Sequence, residues 1–393
     1  MKPLQDITVL EFSTMVTASF ATMMMAEQGA RVIKVEPVEM GDLMRCLGTS
    51  KGGMSALFAN CNRGKESIRV NLKSREGPRL IRELAGHADV LVHNFRPGVM
   101  DELNLGSEPL REANPRLIYA AISGFGKDGP LASSPAYDPV IQAHAGFTAS
   151  QGTDSPVFIR NLMCDKVTAY TACQAITAAL FMRERTGEGQ HIDLSMLDAG
   201  LFFIFPDGFM NHTLLDEDVV TQPLLADLIY DLTVTKDGAI SMSAGTEKQR
   251  LGVVRAVGRE ELLDDPRFST LEALMQNAEE YRRILRESFG ELTTQEALRR
   301  LQDNDVPCAK CHDYEEVLDQ AQLVHNETVV RREHPHMGAM RSVRSPSRFQ
   351  GEPLPLTAHA PAHGQHTDDL LTEFGFGDHI AAWRAEGIIG PAD

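Results

Sequence analysis

"ITVLEFSTMVTASFATMMMAEQGARVIKVE", residues 7–36, decides the fold class. "ITVLEF" is apolar and rich in residues that favour extended chain, so it reads as a strand. "TASFATMMMAEQGA" reads as a helix ending at Gly29, a good C-cap because glycine takes the left-handed backbone at low steric cost. "RVIKVE" is a second strand. Strand, helix and strand in about thirty residues is the unit of a parallel sheet. The pattern recurs: "REGPRLIRELAGHA" (75–88) is a helix, "DVLVHNF" (89–95) a strand, and "LREANP" (110–115) closes a short helix. "RLIYAAISGFG" (116–126) is a strand running into a glycine-containing loop. The fold class is α/β, with a Rossmann-like large domain. No GxGxxG follows the first strand, which argues against a dinucleotide site.

Further on, residues 165–185 form a helix by composition, closed by "TGEG". "QHIDLSMLDAGLFFI" (190–204) continues as strand and helix, and 212–225 looks irregular. "LTVTKDGAISMSA" (232–244) predicts a hairpin with Asp237-Gly238 at its turn. Residues 247–305 are mostly helical, and "RREHPHMGAMRSVRSP" (331–346) reads as strands. These runs place the first part of the large domain at 1–210, a small α+β domain at 222–320, and a return to the large domain at 321–393.

The net charge of −17 argues against nucleic acid, whose phosphates need a basic footprint. A small anion held by a few Arg and Lys stays open. No apolar run approaches the roughly 20 residues of a membrane helix, and the start has no signal-peptide pattern, so a cytoplasmic protein with no membrane partner is expected. Six scattered cysteines need no disulfide framework in that compartment.

"CAKCH" (308–312) has haem-attachment spacing, but nothing directs export, and two Cys with one His fall short of a zinc set. His359, His363 and His366 lack carboxylates at diagnostic spacing and read as a solvated, Pro-rich surface segment; no metal is expected. "SGFGKDGP" (123–130) follows a strand, where open α/β sheets bind ligands, although Gly and Pro there also simply make turns. Tyr137 and Asp138 in "AYDPVIQAHAG" lie just beyond that loop and are either structural polar groups or functional ones. Asp165, in "NLMCDKVTAY", precedes a small-residue apolar run. It is either a helix N-cap or a functional carboxylate. At a helix N-terminus the dipole favours its ionised form while burial opposes it. The balance leaves an ionised, poorly hydrated carboxylate, competent as a nucleophile toward acyl groups.

Across nearly its whole length the chain resembles the class III CoA-transferases of CaiB/BaiF type, the family of formyl-CoA transferase and carnitine CoA-transferase. The resemblance rests on "AEQGARVIKVEPVEMGD", "NRGKESIRVNLKSREG", "ADVLVHNFRPGVMDELNL", "NPRLIYAAISGFGKDGP" with "AYDPVIQAHAG", "TAALFMRERTGEGQHIDLSMLDA", "DVPCAKCHDYEEVLD" and "GQHTDDLLTEFGF", in that order. It implies that Asp165 is the catalytic aspartate, attacking an acyl-CoA to give a mixed anhydride and then an aspartyl-CoA thioester. It implies that Met15, Val16, Thr17, Lys73, Asn94, Phe95, Arg96, Ala136, Tyr137 and Asp138 contact CoA, with Arg96 suited to a phosphate. Without the family, Arg96 and Lys73 read equally well as surface salt-bridge partners. Coenzyme A and acyl-CoA are then substrates, no cofactor is permanently bound, the acceptor is a small carboxylic acid, and the chain forms an intertwined homodimer.

Departures are visible. Thr14 and Val16 stand where formyl-CoA transferase has His and Gln, and Pro37 and Glu102 where it has arginines near the nucleotide. Residues 212–226 contain no glycine, so the shielding glycine-rich loop has no counterpart there. The rival reading is an alpha-methylacyl-CoA racemase, whose matching aspartate pairs with a histidine. That histidine's position holds Tyr137, a phenol with an ordinary pKa near 10 and a poor base at neutral pH. His144 is the substitute candidate.

Overall fold

The computed structural model describes residues 2–152, 155–223, 226, 229, 230, 232–356 and 358–391. Contacts within the chain fall into two compact units, Met1–Pro206 with His325–Asp393, and Asp207–Val324.

The first unit holds a six-stranded sheet of β1 (Thr8–Phe12), β2 (Arg31–Glu36), β3 (Lys65–Arg69), β4 (Val90–His93), β5 (Ile118–Ser123) and β6 (His191–Ser195). The strands lie in the order β3-β2-β1-β4-β5-β6, and every neighbouring pair is parallel. The order reverses between β1 and β4, so loops leaving their carboxyl ends diverge and open a crevice. Helices α1 (Val16–Glu27), α2 (Gly77–Gly86), α3 (Asp138–His144), α4 (Met163–Thr186) and α5 (Met196–Gly208) connect or follow these strands.

Alternation along the strands sorts their side chains to two faces. Leu10 and Phe12 of β1 join Ile33, Val35, Ile68 and Leu91 on one face. Leu80, Ile81 and Leu84 of α2 cover them, with Leu370 and Leu371 from the returning C-terminal segment. The opposite face carries α1 and α4, which meet edge to face at Phe20 and Tyr170, ring centroids 5.8 Å apart.

Beneath α1 the alternation takes an unexpected form. Glu11, Lys34, Glu36 and Lys65 are ionisable residues at strand positions, yet all are buried. Lys34 Nζ lies 2.7 Å from Glu11 and 2.9 Å from Asp42; Lys65 Nζ lies 2.7 Å from Glu11; Arg45 lies 2.6 Å from Glu36. Thr22 of α1 and Ser67 of β3 donate to Glu11 and Glu36, both at 2.6 Å. Three carboxylates thus face three cations, which makes the burial tolerable. Burial alone would raise the Glu11 carboxyl, but Lys34 and Lys65 hold it well below the carboxylate range. β3 itself was not legible as a strand, because "KESIR" carries three charges in five residues.

In the same unit residues 331–346, expected as strands, lie in β7 (Val329–His334) and β8 (Gly338–Val343), which pair as an antiparallel hairpin. The histidine-rich segment is not solvated as expected. His366 Nδ1 accepts the Ser67 N–H at 3.1 Å, and the His363 carbonyl accepts Arg69 Nε at 2.7 Å, so the segment docks on β3.

In the second unit, β9 (Thr233–Thr235) and β10 (Gly238–Met242) form a hairpin. Thr235 pairs with Gly238, so the turn is Lys236-Asp237, one residue earlier than expected. Strand Cys308–Lys310 pairs antiparallel with β10. Helices Glu247–Ala256, Ala278–Gly290 and Thr294–Asp303 enclose a core of Val254, Phe268, Phe289 and Leu301. Among the described residues no helix is long and apolar enough to cross a membrane, and no group of three metal-ligating side chains comes together.

Candidate active site

Asp165 sits in the first turn of α4, two residues inside it, so it is not the N-cap; that position is Leu162, whose side chain caps nothing. The first four N–H groups of a helix have no intrahelical acceptor. The Asp165 N–H is one of them, and it donates to Oδ2 of Asp138 at 2.9 Å. Oδ1 of Asp138 accepts Gln142 Nε2 at 2.6 Å, one turn along α3. The same Gln142 amide reaches the carbonyls of Ile159 and Asn161 at 3.1 and 3.0 Å, fixing the segment that enters α4. Asp138 therefore caps a neighbouring helix, and that cap sets where Asp165 stands.

The Asp165 side chain is buried, and its Oδ1 accepts the hydroxyl of Thr17, near the start of α1. Its Oδ2 has no hydrogen-bond donor among the described residues. Burial pushes its pKa up from 3.8 to about 6; the Asp138 charge adds to this, and the Thr17 hydroxyl and Lys166 oppose it. The group is mainly ionised at neutral pH and short of hydration, as a carboxylate nucleophile must be. Any rate carried by this carboxylate is expected to fall about tenfold per pH unit below about 6 and to level off above. A kcat/KM profile across that range checks it.

Asp165 opens into a pocket of about 310 Å³ at the carboxyl ends of β1, β4 and β5, at the switch point. After β1 the walls are Thr14, Met15 and Thr17; after β4, Asn94, Phe95 and Arg96; Gly124, Ala136 and Tyr137 close the far side. Met15 has φ 64° and ψ −161°, a region that non-glycine residues avoid at a cost of roughly 1–3 kcal/mol. Two anchors hold the turn. Met15 N–H donates to Asp42 Oδ1 at 3.1 Å, and Thr14 exchanges two hydrogen bonds with the Asn94 amide, at 3.1 and 2.7 Å. The buried ion layer thus supports the pocket rim through Asp42. A larger pocket of about 590 Å³ adjoins this one, sharing Phe95, Pro97, Ile122 and Ser123, and lacks Asp165.

The structure brings Met15, Thr17, Asn94, Phe95, Arg96, Ala136 and Tyr137 together around Asp165. Arg96 is exposed with no ion-pair partner among the described residues. Three of the residues implied as CoA contacts lie outside this lining. Val16, one helical position from each of its neighbours, turns into the core against Met44, Met54 and Phe58. Asp138 is buried behind Asp165 as its cap. Lys73 is on an exposed turn after edge strand β3, its N–H on Asn71 Oδ1, outside the pocket.

Residues missed in the sequence include Gln142, which carried no motif, and Gly124, hidden in a loop whose glycines read equally well as turn formers. A Cβ on Gly124 would lie 2.3 Å from that of Ala136. The Gly124→Ala variant is expected to displace the 136–137 wall and lower kcat/KM by about 10²-fold, the scale of a misplacement near 1 Å. Steady-state kinetics tests this.

Comparison with known proteins places these observations. The model of CoA-transferase family III matches residues 4–367. The human succinyl-CoA:glutarate CoA-transferase is 32% identical over 379 residues, covering 95% of this chain and 86% of that protein. The formyl-CoA:oxalate CoA-transferase of Streptomyces avermitilis is 30% identical over 418 residues, covering 99% and 100%. A crystal structure of a CaiB/BaiF family protein from Brucella suis superposes with a TM-score of 0.84 at 28% identity, covering 95% and 99%. The chain belongs to CoA-transferase family III. It is a CoA-transferase, with acyl-CoA as a substrate and a carboxylate as acceptor.

Proposed function

We propose that this transferase works through Asp165, by way of an acyl-aspartyl anhydride and an aspartyl-CoA thioester. The observation that carries the reading is the Asp165 carboxylate: buried, ionised at neutral pH, with one oxygen held by Thr17 and the other open to the pocket. Oδ2 attacks the donor thioester and expels CoA thiolate. The thiolate then takes the aspartyl carbonyl, releasing the donor acid, and the acceptor carboxylate reverses the sequence to leave as acyl-CoA. Thioester energy is conserved only while water stays out, which suits a partly enclosed crevice. Arg96 is suited to the CoA phosphates. No permanently bound cofactor enters this scheme.

Small dicarboxylic acids are the proposed acids, with succinyl-CoA as a donor to try first, because several relatives are named for succinyl-CoA, glutarate or oxalate. The racemase reading is disfavoured. No histidine lines the pocket among the described residues, and His144 is exposed, packed edge-on against Phe125 at 5.2 Å. The chain is further proposed to act in the cytoplasm as an intertwined homodimer. Phe181 and Met182 of α4 and Phe202 and Phe203 of α5 expose apolar surface that a second copy would cover.

The test is to incubate the protein with a panel of acyl-CoAs, add hydroxylamine and map the peptides. A hydroxamate on Asp165 is expected. An unmodified Asp165 alongside exchange of the substrate α-proton in heavy water would overturn the reading in favour of the racemase. Light scattering checks the dimer, and a monomeric mass would sink it.

A further inference from the structure

Thr17 sits at the second position of α1, buried, and its hydroxyl donates to Asp165 Oδ1. Its other polar neighbour is the Met196 sulfur, 4.0 Å away. A helical threonine commonly returns its hydroxyl to the carbonyl four residues earlier. For Thr17 that carbonyl belongs to Ser13, outside the helix, and it receives Lys34 Nζ at 3.1 Å. The Thr17 hydroxyl makes no bond to that carbonyl and goes to Asp165 instead.

We propose that Thr17 is a catalytic residue whose hydroxyl stabilises the negative charge on Asp165 Oδ1 each time the aspartyl carbonyl carbon is attacked. This rests on the reading of Asp165 as the covalent group. When Oδ2 attacks the donor, charge develops on the donor's own carbonyl oxygen, and Oδ1 becomes the carbonyl oxygen of the new anhydride. Thiolate then attacks Cγ of Asp165. The carbonyl electron pair moves onto Oδ1, and its return breaks the Cγ–Oδ2 bond, releasing the donor acid with Oδ2. In the second half, the acceptor carboxylate attacks the same Cγ and expels thiolate. Both tetrahedral states place their oxyanion on Oδ1, where Thr17 already donates. The threonine keeps its proton throughout, and no further reactant is needed. A donor aimed at the site of developing charge is worth about 10²–10³-fold in kcat.

The experiment compares Thr17→Val and Thr17→Ser with the wild type by rapid-quench trapping of the Asp165–CoA thioester over a range of pH. For Thr17→Val, thioester formation and kcat should fall by about 10²–10³-fold, also well above the acid limb, while the CoA dissociation constant stays within about twofold. Thr17→Ser should recover to within about tenfold of wild type. Three results overturn the proposal: Thr17→Val at the wild-type rate on the alkaline plateau, so that the hydroxyl only tunes ionisation; Thr17→Ser as slow as Thr17→Val, so that the methyl matters; or a CoA affinity loss that accounts for the whole effect. Absence of any adduct on wild-type Asp165 marks a failure of the underlying reading; a wild-type adduct with a normal Thr17→Val marks a failure of this inference alone.

Discussion

Asp165→Asn is expected to abolish CoA transfer, by about 10⁴-fold or more in kcat, and at the same time to make the protein more stable. The amide keeps the shape of the carboxylate and can still accept from Thr17, but it cannot form an anhydride. The stability gain follows from the pKa. Holding a carboxyl at about 6 against an ordinary 3.8 costs the folded state on the order of 3 kcal/mol at pH 7. The sign is fixed by direction. An acid with a raised folded pKa loses stability as pH climbs from the unfolded value to the folded one, and the loss stays constant above. The variant should therefore unfold at a higher temperature than wild type at neutral pH, with the gap closing toward about pH 4. Equal unfolding temperatures at neutral pH would mean that the carboxylate is solvated in solution. A stability deficit released by removing the reactive group is a familiar signature of a functional site.

Lys34→Met is expected to destabilise the protein by about 3–5 kcal/mol. Lys34 Nζ touches Glu11, Asp42 and the Ser13 carbonyl, and its side chain is fully buried. Methionine fills much of the volume and removes the charge, leaving Glu11 with Lys65 alone and Asp42 without a cation. Asp42 also holds the N–H of Met15, so the strained turn at the pocket rim loses support. Surviving protein should show a raised KM for acyl-CoA as well as a lower unfolding midpoint. Adding Asp42→Asn should return part of the lost stability, because the carboxylate that the first substitution leaves without a cation is then removed. Denaturant unfolding of both variants measures this; a loss below about 1 kcal/mol for Lys34→Met would show that the layer is hydrated rather than sealed.

Much of the frame was legible. β1, α1 and β2 follow from apolar runs and the glycine after α1, and the parallel pairing follows from their spacing. Asp165 was legible as a carboxylate ahead of an apolar helix, but its register was not: an N-cap and a first-turn residue differ by three positions, and only the course of 159–162 decides between them. β3 was illegible because propensity counts charges as exposed, and here they are matched across strands. Val16 and Lys73 lie outside the lining of the Asp165 pocket for a shared reason. Motif positions give neighbours along the chain, while pocket walls depend on helix phase and on distance from the switch point.

The sequence by itself determined a parallel α/β unit, an acidic protein unsuited to nucleic acid, and an ionisable group at the start of a long helix, because these depend on periodicity, composition and local spacing. The tertiary structure decided what that group does. It set Thr17 against one carboxylate oxygen, Asp138 against the backbone beneath it, and a sealed layer of paired charges behind the turn that faces it. Those contacts join residues as far as 148 positions apart, and a distance of that kind is fixed by the packing of strands and helices.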